Sequence, residues 1–364
     1  MDKCLGIINL DENDTRMKQL VDHRPLASVP FAGRYRVIDF VLSNMTNSGV
    51  GSIGIFTKNK SRSLIDHLSN GRPWDLHRKV GGLKVFNFGN DDPTYEDVTT
   101  FAENLEFLDY SRCEYIILSS SYMICNLDYK LAVNKHKEEK NDITIIYKKV
   151  NVESEVFKDC DAINLDESTG RVKKIYKNMG NSKSENISME MYIMSVETFK
   201  KLVYESNTNR RYRKVKECIH NKLDELVVGS YEFKGYLSCV NSIRSYYNAN
   251  MDLLNEKINQ ELFFSENQIL TKVKDEPPTQ YSKEGKVKNS ILANGCYIEG
   301  NVTNSVIFRN VQIKPGAELD GCVILQNSVI GENGKLKNVI SDKATDIPAG
   351  EELSGTSNFP FVIQ

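Results

Sequence analysis

The sequence feature that most constrains the fold is a six-residue repeat that begins near Val287. Apolar residues recur at this interval, with Asn, Gly and Asp between them, in three series: Cys296, Val302 and Phe308; Val311, Ala317, Val323 and Val329; Ile324, Ile330 and Leu336. A helix repeats about every 3.6 residues and a strand about every 2, so neither alone explains this period. The repeat predicts a hexapeptide β-helix, whose open ends and flat faces suit subunit contacts.

The preceding part of the chain has the pattern of an α/β sheet. Apolar runs typical of buried strands lie at 5–10, 52–57, 115–119 and 142–147, and helix-like stretches lie at 61–68 and 95–108. Alternating strands and helices are typical of a sheet with helices on both sides, which binds ligands at the carboxyl ends of its strands. We therefore predict an α/β domain at 1–260, a Pro- and Lys-containing linker at 261–286 and the β-helix at 287–364.

Composition excludes several classes of partner and site. The formal net charge of −2 over 364 residues argues against nucleic acid or membrane held by bulk electrostatics, although small anions remain possible. None of the eight cysteines forms a CxxC pair, so no zinc site is predicted. Scattered cysteines without a signal peptide are typical of reduced thiols, and we expect a cytoplasmic protein.

The stretch from Arg24 to Gly49, RPLASVPFAGRYRVIDFVLSNMTNSG, has too many special residues for a neutral loop. It resembles the PFGGKYRxIDFxLSNxxNSG signature of bacterial ADP-glucose pyrophosphorylases (glucose-1-phosphate adenylyltransferases), and more closely that of their GlgD-type subunit. The resemblance extends, more weakly, over almost the whole chain. It implies a nucleotidyltransferase domain with a Rossmann-like, mostly parallel sheet, followed by a left-handed β-helix. Residues 342–350, DKATDIPAG, match the DKxxxIPxG motif of that β-helix.

The turn after the first strand departs from the family. Where the family has a GGGxGTRL loop, this chain reads LDENDTRM at 10–17, so the glycines that let backbone N–H groups approach phosphates are lost. Three carboxylates at that turn would repel a triphosphate. Taken alone, the segment reads as a polar capped turn; with the resemblance, it reads as a dismantled nucleotide loop. The remnants of that loop are Thr15, Arg16 and Arg24.

The two metal-binding aspartates implied by the resemblance are also replaced. The first, from a GDHIY motif, falls on Tyr122 or Ser121, depending on the direction of counting, and the second, from WRDVGT, falls on Cys239. A hydroxyl and a thiol cannot hold a hard dication as two carboxylates do. We therefore expect no catalytic residue, metal or cofactor on this chain, with Mg²⁺ bound by a catalytic partner subunit.

Other pocket segments diverge as well. The family's GTADA reads PTYED at 93–97, EKP reads KNM at 177–179, and SMGIY reads SMEMY at 188–192, with Glu190 at the glycine. The basic run at 210–214 is interpreted as a solvated face.

The retained motif carries two kinds of polar residue. Asp39, Ser43 and Asn44 are interpreted as buried hydrogen-bonding groups that fix a helix start. Arg34 and Arg36 have two readings, plain surface arginines or a site for a phosphorylated effector, and the family's use of the first position slightly favours the anion site.

The resemblance implies a role in glycogen synthesis, where the family reaction converts ATP and glucose 1-phosphate to ADP-glucose and pyrophosphate. We expect a non-catalytic or weakly catalytic regulatory subunit, in a hetero-oligomer (a tetramer) with a catalytic homologue. Two alternatives stay open: an active enzyme with rearranged ligands such as Glu96, Asp97 or Asp128, and a homomeric sugar-phosphate sensor. A hexapeptide acyltransferase is disfavoured because no histidine follows His220.

Overall fold

The computed structural model of the chain describes residues 3–58, 60–88, 97–151, 155–180 and 184–364. The chain divides into two compact units that are interleaved in sequence. The first comprises Met1–Glu12, Phe40–Leu237 and Asn267–Leu270, and the second comprises Asn13–Asp39, Ser238–Glu266 and Thr271–Gln364. The predicted boundaries at 260 and 286, drawn for continuous domains, stay a prediction.

The elements up to residue 263 are the strands and helices of the α/β part. The strands are β1 (Cys4–Asn9), β2 (Pro30–Phe31), β3 (Tyr35–Arg36), β4 (Ser52–Thr57), β5 (Gly82–Asn87), β6 (Tyr115–Ser119), β7 (Met123–Ile124), β8 (Ile143–Asn151), β9 (Asp161–Leu165), β10 (Val172–Lys177), β11 (Ser184–Ser195), β12 (Val228–Glu232) and β13 (Ser238–Cys239). The helices are α1 (Val37–Asn47), α2 (Arg62–Leu68), α3 (Asp97–Glu103), α4 (Glu106–Ser111), α5 (Tyr129–Glu138), α6 (Val196–Asn209), α7 (Val215–Asn221), α8 (Ile243–Asp252) and α9 (Glu256–Phe263). Short 3₁₀ turns lie at Thr15–Val21, Leu26–Ser28, Arg72–Trp74 and Glu155–Phe157.

The first unit is built on a nine-stranded sheet. Its main path runs β10-β9-β11-β6-β1-β4-β5, and β8 and β12 extend from β11. Strands β6, β1, β4 and β5 are parallel, whereas β11 pairs antiparallel with β6 and β8. The four apolar runs identified in the sequence become β1, β4, β6 and β8, because their side chains are buried on both faces, as in a parallel sheet covered by helices.

Two helical regions differ from the sequence interpretation: one is split, and in the other Asn44 lies within the helix rather than at its start. The stretch at 95–108 forms α3 and α4 rather than one helix, with Asn104 and Leu105 between them. Its predicted apolar face is nevertheless buried, since Phe101, Leu105 and Leu108 are each less than 9% exposed. Asn44 is held on α1 by two bonds, donating to the Cys125 carbonyl and accepting from the Leu127 N–H, both at 3.1 Å.

The second unit contains the β-helix that the six-residue repeat predicts. Fifteen short strands form three parallel five-stranded sheets. They are β14 (Gln280–Tyr281), β15 (Lys286–Lys288), β16 (Ile291–Leu292), β17 (Tyr297–Ile298), β18 (Asn301–Thr303), β19 (Val306–Ile307), β20 (Gln312–Ile313), β21 (Glu318–Asp320), β22 (Val323–Ile324), β23 (Val329–Ile330), β24 (Lys335–Lys337), β25 (Val339–Ser341), β26 (Asp346–Ile347), β27 (Glu352–Ser354) and β28 (Phe361–Ile363).

Register and corners show how the prism is made. Val306 pairs with Val323 and Val323 with Ile340, so successive rungs are one coil apart. The inner core is formed by residues such as Val302, Ala317 and Leu336, which are at most 2% exposed. Asn304, Asn327 and Asn338 take left-handed backbone angles at corners, a conformation that Asn tolerates better than most residues. The predicted two-part fold, a nucleotidyltransferase α/β domain and a hexapeptide β-helix, is confirmed.

Two further observations concern the whole of the described chain. None of the eight cysteines, all of them described, is in a disulfide bond. Among the described residues, no helix has the length and apolar character needed to span a membrane.

Candidate functional site

The turn after β1 points its carboxylates inward. Oε1 of Glu12 accepts a hydrogen bond from the Ser121 N–H at 2.5 Å. The Asp11 side chain is only 6% exposed and forms ion pairs with Lys58 and with Lys214, whose Nζ lies 2.5 Å from Oδ2. Asp11 and Glu12 therefore do not project into solvent. They bind donors at the carboxyl edge of the sheet, where ligands of α/β folds bind.

The end of β6 provides Ser121 and Tyr122, the two candidate positions for the first metal-binding aspartate. Both are buried, with Ser121 0% and Tyr122 6% exposed. Among the described residues there is no group of three or more His, Cys, Asp or Glu side chains arranged to hold a metal ion. Ser121 and Tyr122 themselves do not fit a hard dication, since each offers a hydroxyl in place of the carboxylate that Mg²⁺ favours.

Glu190 lies at an irregular point of β11. The pairing of β11 with β8 shifts register between Ser188 and Met191, and Glu190 has a left-handed φ of 51°. Glycine adopts this conformation freely and a glutamate does so at a cost of about 1 kcal/mol or more. The geometry thus agrees with the alignment, which sets Glu190 at a family glycine. Its Oε1 lies 3.1 Å from Nζ of Lys216.

Lys216 belongs to a larger buried network. Oδ1 of Asp161 pairs with Lys177 at 2.8 Å, and Oδ2 lies 3.7 Å from Lys216 and 4.0 Å from Nε2 of His220. Burial alone would raise the pKa of Asp161, but Lys216 and Lys177 outweigh it and hold that pKa below its ordinary value. Burial lowers the pKa of Lys216, and Glu190 and Asp161 outweigh this effect and raise it. The four charges compensate one another within the chain.

The KNM triplet at 177–179 begins in this network. Lys177 is committed to Asp161, and Asn178 is 1% exposed and donates to the Phe157 carbonyl at 2.9 Å. Met179, at the position of the family's proline, is 59% exposed.

The three carboxylates considered as rearranged metal ligands lie apart or outside the described chain. Asp97 is buried and accepts from Asn9 Nδ2 and from the Val215 N–H, both at 2.9 Å. Burial, with a contribution from Asp11, raises the pKa of Asp97 to about 7, and burial likewise raises that of Glu12 to about 7. Asp128 accepts from the Lys130 N–H as the cap of α5. Glu96, like Pro93, Thr94 and Tyr95, lies outside the described residues.

The cavity at the carboxyl ends of β1 and β6 has a volume of about 40 Å³. A nucleotide or sugar nucleotide needs far more room, since small-molecule sites usually measure about 300–1,000 Å³. Within the described part of the first unit, the space at the carboxyl ends of β1 and β6 is thus occupied by the chain itself. The lining comprises Asn9, Asp11, Glu12, Asp97, Leu118, Ser119, Ser120, Glu190, Tyr192, Lys214 and Lys216.

The nucleotide-loop remnants lie in the second unit. Thr15 donates through both its N–H and its hydroxyl to Oδ1 of Asn13, at 3.2 and 2.8 Å, which is the polar turn that the segment alone suggested. Arg16, on the same 3₁₀ turn, is partly exposed. Arg24 is 6% exposed; its Nε donates to the Leu20 carbonyl at 2.9 Å, and its NH2 group binds both carboxylate oxygens of Asp342.

Cys239, the residue at the second metal position, is fully buried in the second unit. A buried thiol offers a dication neither charge nor hard oxygen.

Arg34 and Arg36 belong to the β2–β3 hairpin of the second unit. Arg34 lies in its turn and Arg36 lies in β3. Ala32 and Gly33 take left-handed angles at its tip, and the exposed Arg34 lies 5.6 Å from the centre of the Tyr35 ring. The Arg36 N–H donates to Oδ2 of Asp39 at 2.9 Å, which confirms a capping role for Asp39.

Lys343 of the β-helix is partly buried and lies within the electrostatic influence of Arg36. Burial first, and then the nearby charges of Arg36 and Arg24, lower the pKa of Lys343 to about 7. Asp342 opposes this effect, and Lys274 adds to the positive field. The second unit thus holds a cluster of cations around Lys343 that the motif at 24–49 predicts only in part.

Sequence reasoning missed the lysines of the first unit. The basic run at 210–214 was interpreted as a solvated face. That interpretation is wrong for Lys214, because Lys214 pairs with Asp11. Lys58 and Lys216 belong to no motif. The acids at 11–14 were the available signal: buried carboxylates require cationic partners, although the pattern does not say which.

Comparison with known proteins agrees with this architecture. A family model described as nucleotidyl transferase matches residues 13–256, and one described as GlmU-like, C-terminal hexapeptide matches residues 277–356. The glycogen biosynthesis protein GlgD of Bacillus subtilis (strain 168) is 35% identical over 365 residues, covering 100% of this chain and 96% of that protein. The GlgD protein of Geobacillus stearothermophilus is 36% identical over 86% of this chain and 82% of its own. A glucose-1-phosphate adenylyltransferase of Fusobacterium nucleatum is 31% identical, covering 87% of this chain and 84% of that enzyme.

Proposed function

This chain belongs to the nucleotidyl transferase family of the glycogen biosynthesis protein GlgD and the glucose-1-phosphate adenylyltransferases, and we propose that within it the chain acts in glycogen biosynthesis as a regulatory subunit without catalysis of its own. It assembles with a catalytic homologue, in which Mg²⁺ and the reacting nucleotide bind. The regulatory part of this proposal rests on the site rather than on the names of relatives.

The observation that carries the proposal is that the chain's own carboxylates form ion pairs with the lysines of the site. Asp11 binds Lys58 and Lys214, and Glu190 binds Lys216. A phosphate would have to displace these anions from a low-dielectric site in which like charges repel strongly. Glu12 further occupies the backbone N–H of Ser121, a donor type that phosphate-binding turns depend on.

The side chains at the two metal positions support the same conclusion. Nucleotidyl transfer requires a dication to neutralise charge on the reacting phosphates. Ser121, Tyr122 and Cys239 offer no carboxylate at either position. The rearranged-ligand alternative loses ground because Asp97 is already engaged by Asn9 and Val215, and Asp128 by its helix cap.

The purified chain is therefore expected to show no measurable pyrophosphorylase activity with Mg²⁺ and no saturable heat on calorimetric titration with ATP–Mg²⁺. The catalytic homologue from the same cells, prepared in parallel, is the positive control. Co-expression of the two should yield a mixed assembly whose maximal rate or effector response differs from that of the homologue alone. A robust rate from the isolated chain would refute the proposal, and failure to co-purify would favour the homomeric sensor.

We further propose that the cluster around Lys343 binds the phosphorylated effector of the assembly. Arg36→Ala and Lys343→Ala should each raise the effector concentration for half-maximal response about 10-fold or more, because a hydrogen bond to a charged group contributes about 1.5–3 kcal/mol. Arg34→Ala should have a smaller effect, since Arg34 is exposed and lies against Tyr35. Lys335→Ala, an exposed lysine on β24, is the matched control; an equal shift in that variant would show a nonspecific charge effect.

A further inference from the structure

A second concave surface of the first unit shares no residue with the cavity described above. It is a groove of about 740 Å³ beside β8, β9, β10 and β11, a volume within the range of small-molecule sites. Its walls include the phenols of Tyr147 and Tyr176 and the amides of Asn164 and Asn186. Adjacent residues of a strand face opposite sides, so Tyr176 lies on the other face of β10 from Lys177, which binds Asp161.

The charges of the groove exclude a phosphorylated ligand. Among the described residues of its wall, acidic side chains such as Glu185 and Glu232 outnumber the one lysine, Lys149. Phosphates and nucleotides would meet net repulsion there. The groove therefore differs in kind from the cation cluster around Lys343.

Two of its acids are already engaged, which disfavours a cationic ligand as well. Asp166 accepts from Lys173 at 2.6 Å and from the hydroxyl and N–H of Ser168. The hydrogen bond from Lys173 has the largest effect on the pKa of Asp166. Together with the bonds from Ser168, it holds that pKa below its ordinary range. Glu185 accepts from the Tyr176 hydroxyl at 2.5 Å. What remains is a surface of amides and aromatic rings that also carries the exposed side chains of Glu167, Glu232 and Lys149.

From these contacts we infer that the groove binds a neutral oligosaccharide. Amide and phenol groups together offer donors and acceptors, which match sugar hydroxyls that both donate and accept. The half-buried rings of Tyr147 and Tyr176 offer apolar faces with a polar edge, suited to the C–H faces of pyranose rings. Leu165, which is partly exposed, extends the apolar part of the wall. This inference does not depend on the chain being a regulatory subunit.

The test is calorimetric titration of the full-length chain with maltoheptaose and, separately, with cellopentaose. Saturable binding of either sugar is expected, and Tyr147→Ala and Asn164→Ala should each weaken it about 10-fold, equivalent to about 1.4 kcal/mol. Asn164 is exposed, so that variant should keep the fold, as thermal melting would verify. Tyr204→Ala, on α6 and 59% exposed, is the control and should bind like the parent.

Three outcomes would overturn the inference. They are no heat with either sugar, equal weakening by Tyr204→Ala, and binding of octalysine in place of the sugars. The last result would assign the groove to a basic peptide. Loss of sugar binding leaves the pyrophosphorylase assays unaffected, so failure here and failure of the proposed function are distinguishable.

Discussion

Arg24→Met is expected to lower the free energy of unfolding by about 3–5 kcal/mol, the usual cost of removing one partner from a buried ion pair. The side chains of Arg24 and Asp342 are only 7% and 11% exposed. The guanidinium binds both carboxylate oxygens and also the Leu20 carbonyl. Its loss leaves Asp342 charged and buried, with the Lys343 N–H at 2.7 Å as a remaining donor.

Urea unfolding of the purified chain measures this effect. The double variant Arg24→Met/Asp342→Leu should recover much of the loss, because an apolar pair of similar volume often replaces a buried ion pair at little cost. Arg78→Met, which removes an exposed pair with Asp75, should change stability little. A loss below about 1 kcal/mol in Arg24→Met, or no recovery in the double variant, would mean that Arg24 is not the partner of a buried charge.

This ion pair shows why a retained motif can mislead. Arg24 and the DKxxxIPxG motif each match the family in sequence, and the resemblance assigned Arg24 to the nucleotide. In the structure they meet each other, 318 residues apart in the chain. Retention of the two residues is explained by packing within the second unit, which no local pattern reveals.

The fold was the more predictable part because its signals are periodic and local. The six-residue repeat and its Asn corners specify the prism, and apolar runs such as 52–57 and 115–119 match strands residue for residue. The split between α3 and α4 was missed because Leu105 and Leu108 keep the helical spacing while the backbone turns at Asn104.

For the site, the sequence predicted which family residues are missing, and it did not predict what fills their place. Alignment identified the lost glycines and the position of Glu190, whose left-handed φ of 51° agrees with a former glycine. It could not show what fills the space, because the pairs of Asp11 with Lys214 and of Glu190 with Lys216 join distant parts of the chain. Such pairs depend on tertiary placement.

The second large effect on stability is expected from breaking the ion pair between Glu190 and Lys216. Lys216→Met should lower the free energy of unfolding at pH 7 by about 3 kcal/mol, the lower end of the range for a broken buried pair, since Lys216 is 29% and Glu190 only 11% exposed. Asp161 keeps Lys177 at 2.8 Å. Glu190 loses the cation beside it and becomes a buried carboxylate of high free energy.

The effect should depend on pH with a definite sign. In the parent chain the pKa of Lys216 is raised, so its stabilisation is complete below the ordinary lysine pKa and is lost only as pH rises beyond that value. In the variant, folding favours protonated Glu190, and the folded state binds more protons than the unfolded state. The deficit should therefore shrink as pH falls from about 7 towards about 5, above the ordinary glutamate pKa of about 4.3.

Unfolding curves at several pH values, with Lys216→Met/Glu190→Gln as the matched variant, separate charge from packing. The double variant should regain most of the stability at pH 7 and lose the pH dependence specific to the single one. Lys200→Met, whose partner Asp109 is 63% exposed, controls for loss of a surface lysine. A deficit that stays constant with pH would show that Lys216 contributes through its alkyl chain. The carboxylate of Glu190 would then not be the anion that holds this cation, and the proposal of a self-occupied site would lose one of its three ion pairs.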